Sequence, residues 1–117
     1  MKTTEKADAL VELFVKALEA AKAADPGEDG GTCNFDTPAF RVHRMPEKLL
    51  VEVGERAGVR VSSFPWFGKK WFWLHVPTFG QGNRRTVTME AALGVLQEAV
   101  ESGAIPGFKA CGYYQMD

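Results

Sequence analysis

Val59-Arg60-Val61-Ser62-Ser63-Phe64-Pro65-Trp66-Phe67-Gly68-Lys69-Lys70-Trp71-Phe72-Trp73-Leu74-His75-Val76 is the stretch from which the fold is read. Val59, Val61 and Ser63 alternate with Arg60, Ser62 and Phe64 at period two, the repeat of a strand. Pro65-Trp66-Phe67-Gly68 carries turn residues. Lys70 to Val76 then alternates again and is rich in the aromatic and β-branched side chains that suit a pleated surface. Together the two runs predict a β-hairpin.

Upstream, Ala39-Phe40-Arg41-Val42-His43 alternates in the same way, with Phe40 and Val42 on one face and Arg41 and His43 on the other. Pro46 suits the first position of a helix whose stripe is Leu49, Leu50 and Val53 and whose stop is Gly58. Downstream, Thr86 or Thr88 stands where a cap belongs, ahead of a stripe of Met89, Ala92, Leu93, Leu96 and Val100. Gly94 weakens that helix by ~1 kcal/mol, and Gly103 ends it. Phe108 to Tyr114 reads as a fourth strand.

From residue 38 onward the order is therefore β-α-β-β-α-β, the split βαβ order of ferredoxin-like α+β folds. Right-handed crossovers give the spatial order 4-1-3-2. Ahead of this core, residues 4–24 place Leu10, Val11, Phe14, Val15, Leu18 and Ala21 at helical spacing, with Thr3 or Thr4 as cap and Asp25-Pro26-Gly27 as stop. This extra N-terminal helix is amphipathic and needs a surface to bury against. Gly27-Glu28-Asp29-Gly30-Gly31 follows as a loop. The expected organisation is residues 1–30, helix and acidic loop, attached to a core of residues 31–117 within a single domain.

Composition agrees with one core. By mass scaling the accessible surface of such a chain falls from roughly 19,000 Å² unfolded to roughly 6,300 Å² folded. The 117 residues are 45% hydrophobic and 25% charged, which excludes disordered and fibrous classes. No run reaches the ~20 apolar residues of a spanning helix, and Glu5, Asp8 and Glu12 interrupt any leader-like stretch. A cytoplasmic protein with no membrane partner is expected. Two cysteines cannot build a disulfide framework.

The net charge of −1 hides a division. Residues 1–32 hold four lysines against seven acidic residues, a balance of −3. Residues 37–85 hold nine basic residues against three acidic ones, a balance of +6. Either these are two solvated faces, or the acidic arm shields or competes for an anion-binding surface.

The alternation also assigns faces. Phe40, Val42, Val59, Val61, Phe72, Leu74, Val76, Phe108 and Ala110 point at the helices. Arg41, His43, Arg60, Ser62, Trp71, Trp73, His75, Lys109, Cys111 and Tyr113 point the other way. Three occupants are open for the sheet face carrying Arg41, Arg60, Trp71 and Trp73. The N-terminal helix lying across it needs no special assumption, a second copy would give a homodimer, and single-stranded nucleic acid would stack its bases on the aromatics. Lys69-Lys70-Trp71-Phe72-Trp73-Leu74-His75-Val76 resembles the strand-3 motif of RNA-recognition domains, with a basic start, aromatics at the third and fifth positions and an aliphatic sixth. It departs at Lys70 and Phe72, where small residues are expected, and at Val76, where an aromatic is expected. Phe40 on strand 1 is turned inward, so the second stacking position of that pattern is missing.

Chain direction gathers three segments at one rim of the sheet: 31–37, 75–86 and 111–117. Within them, Gly80-Gln81-Gly82-Asn83-Arg84-Arg85-Thr86 leads into a helix N-terminus, where free N–H groups and paired arginines suit an anion. Its spacing is that of neither a Walker nor a dinucleotide motif. The leading expectation is a small non-catalytic binding module that recognises an anionic ligand or a protein partner through Asn34, Asp36, Gln81, Asn83, Arg84, Arg85 and Tyr113. The same rim holds Cys33, Asp36, His75 and Cys111, the residue types of a Zn²⁺ site or a small Cys/His enzyme. No CxxC or HxxxH spacing supports either, and the residues call for no cofactor, no metal and no catalytic assignment. Asp36 and the C-terminal carboxylates pairing with Arg84 and Arg85 would instead make the cluster a structural ion-pair network.

Overall fold

Trp66 stands opposite Lys69 across a two-residue turn, Phe67-Gly68, in which both residues have positive φ, 51° and 73°. That is the backbone of the primed turns whose twist matches a hairpin. The computed structural model describes residues 1–25, 27, 36–76 and 83–114, Asn83 by its backbone alone. In chain order the elements are α1 (Thr3–Ala24), β1 (Thr37–Val42), α2 (Glu47–Ala57), β2 (Arg60–Trp66), β3 (Lys69–His75), α3 (Asn83–Ser102) and β4 (Phe108–Tyr113).

The four strands form one antiparallel sheet in the order β2-β3-β1-β4, the expected order read from the opposite edge. Registers are Ser62 with Trp73, Ala39 with Trp73, and Ala39 with Cys111, so these residues form one row across the sheet. The strand ends differ from expectation. β2 runs on through Pro65 to Trp66, because β2 is an edge strand and a missing proline N–H there breaks no central ladder.

Helix starts differ as well. α1 begins after Lys2, whose N–H donates to the Glu5 carboxylate, so neither Thr3 nor Thr4 caps it. Pro46 is the N-cap of α2 rather than its first residue, and Gly58, at φ 84°, is its left-handed stop. α3 begins at Asn83, before either expected threonine cap. Thr88 instead bonds back to the carbonyls of Arg84 and Arg85 within the helix, and Thr86 reaches across to Asp36.

All three helices share one face of the sheet. Phe40, Val61, Phe72, Leu74, Val76 and Phe108 join side chains of α1, α2 and α3 in one buried cluster. The Phe40 ring packs 5.6 Å from Phe72 and 6.0 Å from Phe108. α2 packs on β2 and α3 on β4 and β1, while α1 packs against both helices and sends Phe14 to within 5.1 Å of Phe40. Thus α1 does not lie across the tryptophans, as one reading of the sequence had it. The reason is its stripe. Ala7, Leu10, Leu13, Phe14, Ala17, Leu18 and Ala21 are all buried, a width that needs apolar neighbours on several sides, whereas a flat sheet face offers one. Lys6 joins this interface by laying its stem along it and donating Nζ to the His43 carbonyl at 3.0 Å.

Candidate functional site

With every helix on one side, the other side of the sheet has no cover among the described residues. Period two dictates what it shows: Arg60, Ser62, Phe64 and Trp66 from β2, Lys69, Trp71, Trp73 and His75 from β3, Arg41 from β1, and Lys109, Cys111 and Tyr113 from β4. The rings meet one another. Phe64 stacks on Trp73 at 4.2 Å, Trp66 meets Trp71 edge-on at 5.2 Å, and Tyr113 lies 5.4 Å from both Phe64 and Trp66. Phe64 is only 8% exposed although no helix covers it, since neighbouring rings do so. Trp66, Trp71, Trp73 and Tyr113 stay half-buried. The buried indole N–H of Trp73 has no acceptor among the described residues.

The electrostatics of this face are one-sided. Arg41, Arg60, Lys69 and Lys109 stand on it, and none of the four strands contains a carboxylate. The Arg41 guanidinium lies over the Trp71 ring, 5.5 Å from its centroid, within cation–π range. Lys70, one residue out of phase, turns to the helical side and pairs with Glu47 of α2 at 3.0 Å. His75 closes one end of the face, sharing a 2.6 Å hydrogen bond with Ser62 Oγ. Burial pushes its imidazole below the ordinary value, and the Arg60 and Arg85 cations push the same way.

Of the three rim segments, the described residues are 36–37, 75–76, 83–86 and 111–114. Thr37 pairs with Tyr113, and Arg85 reaches from α3 to the Asp36 carbonyl at 3.0 Å and to Thr37 Oγ1 at 3.1 Å. Asp36, 7% exposed, accepts from Thr86 Oγ1 at 3.1 Å. Arg84 donates to both carboxylate oxygens of Asp25, at the end of α1, at 2.7 and 2.9 Å. Asp25, from the acidic arm, therefore engages Arg84, in the way a competing anion would. Of the expected structural network, Arg85 meets Asp36 through its carbonyl and Asp25 joins at Arg84, while the C-terminal carboxylates lie outside the described residues. Asn34, Gln81 and the Asn83 side chain also lie outside them.

The thiol readings receive little geometry. Cys111 stands opposite Ala39 on β4, and β1 separates it from His75 on β3. Burial pushes its thiol pKa up, away from the reactive thiolate. Among the described residues no three metal-ligating side chains come together, and Cys33 lies outside them.

Trp66 is the member of the face that sequence reasoning missed; Phe64 stands in phase with Arg60 and Ser62, as the alternation has it. Continuing the alternation Ser62, Phe64 past Pro65 would have found it. Compared with protein-family models, with curated proteins and with solved structures, the chain matches none. No helix among the described residues is long and apolar enough to cross a membrane.

Proposed function

We propose that this chain is a non-catalytic binding module, ferredoxin-like in its core and cytoplasmic, whose aromatic sheet face, without cover among the described residues, takes up single-stranded nucleic acid. The observation that carries the reading is the pairing of outward rings with four cations and no strand carboxylate on one surface. Bases present π faces that stack on Trp and Tyr whatever their sequence, and phosphates require cations beside them. A second copy is the weaker occupant. A two-fold interface through this face would bring both sets of Arg41, Arg60, Lys69 and Lys109 into one contact with no strand carboxylate to oppose them. The resemblance of Lys69–Val76 to the strand-3 motif of RNA-recognition domains points the same way. Tyr113 and Trp66 supply rings that inward-facing Phe40 does not.

The rim reading of an anionic partner at Arg84 and Arg85 is less favoured, since both guanidinium groups already bond within the chain. The test is anisotropy of a dye-labelled mixed-sequence single strand, titrated at several salt concentrations. If all four cations meet phosphates, the log–log salt slope is about −3, at roughly −0.7 per phosphate neutralised on a single strand. Trp71→Ala weakens binding at every salt concentration, and Arg41→Gln makes the slope shallower. Absence of salt-dependent binding would sink the reading. So would a sedimenting dimer that Trp71→Ala dissociates.

A further inference from the structure

Phe67 occupies the first turn position of the β2–β3 hairpin with φ of 51°, a left-handed conformation that Asn, Asp and Gly adopt readily and a bulky aromatic does not. It is also 84% exposed, the most exposed large hydrophobic residue described. The ring therefore gains almost no burial to offset the unfavourable backbone. What it does have is position. Its centroid lies 5.2 Å from Trp66, which in turn meets Trp71 and Tyr113, so Phe67 is the outermost ring of a connected run that leaves the sheet at the hairpin tip. Lys69, directly across the turn from Trp66, is exposed, and its ammonium has no hydrogen-bond or ion-pair partner among the described residues.

Resting on the reading above, we infer that Phe67 is the terminal stacking position of the platform and receives a base beyond the end of the β2–β3 hairpin, with Lys69 beside the adjoining phosphate. The bound strand then runs from the His75 end of the face, past Trp73 and Trp66, toward the turn. Only strands long enough to span the run reach Phe67.

A thymidine length series, within the roughly 4 to 16 nucleotides typical of such single-strand sites, tests this with wild type, Phe67→Gly and Trp71→Ala. Phe67→Gly should bind long strands roughly tenfold more weakly, the loss of about one stacked base, and the shortest bound strands as wild type does. Its thermal midpoint should rise, because glycine relieves the left-handed position. Affinity lost while stability is gained separates a ligand-contacting ring from a folding defect. Wild-type affinity of Phe67→Gly at every length overturns the inference and leaves the sheet-face reading standing. Equal weakening at every length overturns the terminal placement. If wild type binds no length, both readings fail together. Uptake by anionic vesicles that needs Phe67, without length-dependent strand binding, would make the tip a membrane contact and also overturn the inference.

Discussion

The guanidinium of Arg84 grips the carboxylate of Asp25 at two points, Nε to Oδ1 at 2.7 Å and Nη2 to Oδ2 at 2.9 Å, tying the end of α1 to the start of α3. The Arg84 hydrogen bond, followed by one from the Gly27 N–H, holds the Asp25 carboxyl below the ordinary carboxylate range. A folded-state pKa below the unfolded one means that the folded protein favours the ionised form. That stabilisation is present above the ordinary carboxylate pKa and is lost as pH falls through the folded value. Asp25→Asn should therefore lower the thermal midpoint at neutral pH, and the gap to wild type should close in acid. An equally wide gap in strong acid would contradict this.

Two helical glycines should respond oppositely to the same substitution. A Cβ at Gly54 would stand 2.6 Å from the Val59 carbonyl and 2.8 Å from a Val61 methyl, where α2 comes against β2. Gly94 is exposed on α3 with nothing within 4 Å. Gly54→Ala should destabilise by about 1–3 kcal/mol through overpacking. Gly94→Ala should stabilise by about 0.5–1 kcal/mol through helix propensity. Denaturant midpoints of the two variants check both signs.

Phe14 fixes α1 to the sheet, fully buried against Phe40. Phe14→Ala should cost about 3–5 kcal/mol, the usual range for emptying an aromatic site in a core. A loss below ~1 kcal/mol on chemical denaturation would mean that α1 is an appendage rather than part of the core.

His75 should titrate below a free imidazole, since burial and then Arg60 and Arg85 oppose its charge. With the folded pKa below the unfolded one, the unfolded chain binds more protons between the two values. Stability is then complete above the ordinary histidine pKa and declines as pH falls toward the folded value. Arg60→Gln should raise the His75 pKa in an NMR titration of its ring protons. A bound polyanion should raise it too. An unchanged titration in Arg60→Gln would remove Arg60 as a cause.

Cys111, with its thiol pKa raised by burial, should react slowly with alkylating reagents in the folded protein and speed up on denaturation. Cys111→Ala should keep strand affinity, whereas a thiol enzyme or a Cys111 metal site would fail.

Much of the fold was legible because alternation names both a strand and its two faces. From that pattern Phe40, Phe72 and Leu74 are assigned to the helices and Trp71 and Trp73 to the opposite side. Trp66 escaped because Pro65 reads as a breaker, and only knowledge that β2 is an edge strand makes that proline tolerable. The seat of α1 was not readable, since a stripe of Leu10, Phe14 and Leu18 announces burial without naming the surface that receives it. Nor was the grip of Arg84 on Asp25, two residues 59 positions apart whose meeting depends on where α1 sits. At the rim, the meeting of Thr37, Arg85 and Tyr113 followed from chain direction. That its arginines would be engaged by the chain itself depended on side-chain geometry.

Trp66, Trp71 and Trp73 are all the tryptophans of the chain, and all three project from the same side of the sheet. Indole emission from this protein therefore arises from a single surface and is blind to the helices. The molecule carries its own optical reporter there: quenching or a spectral shift on adding any compound signals contact with that surface, without a label.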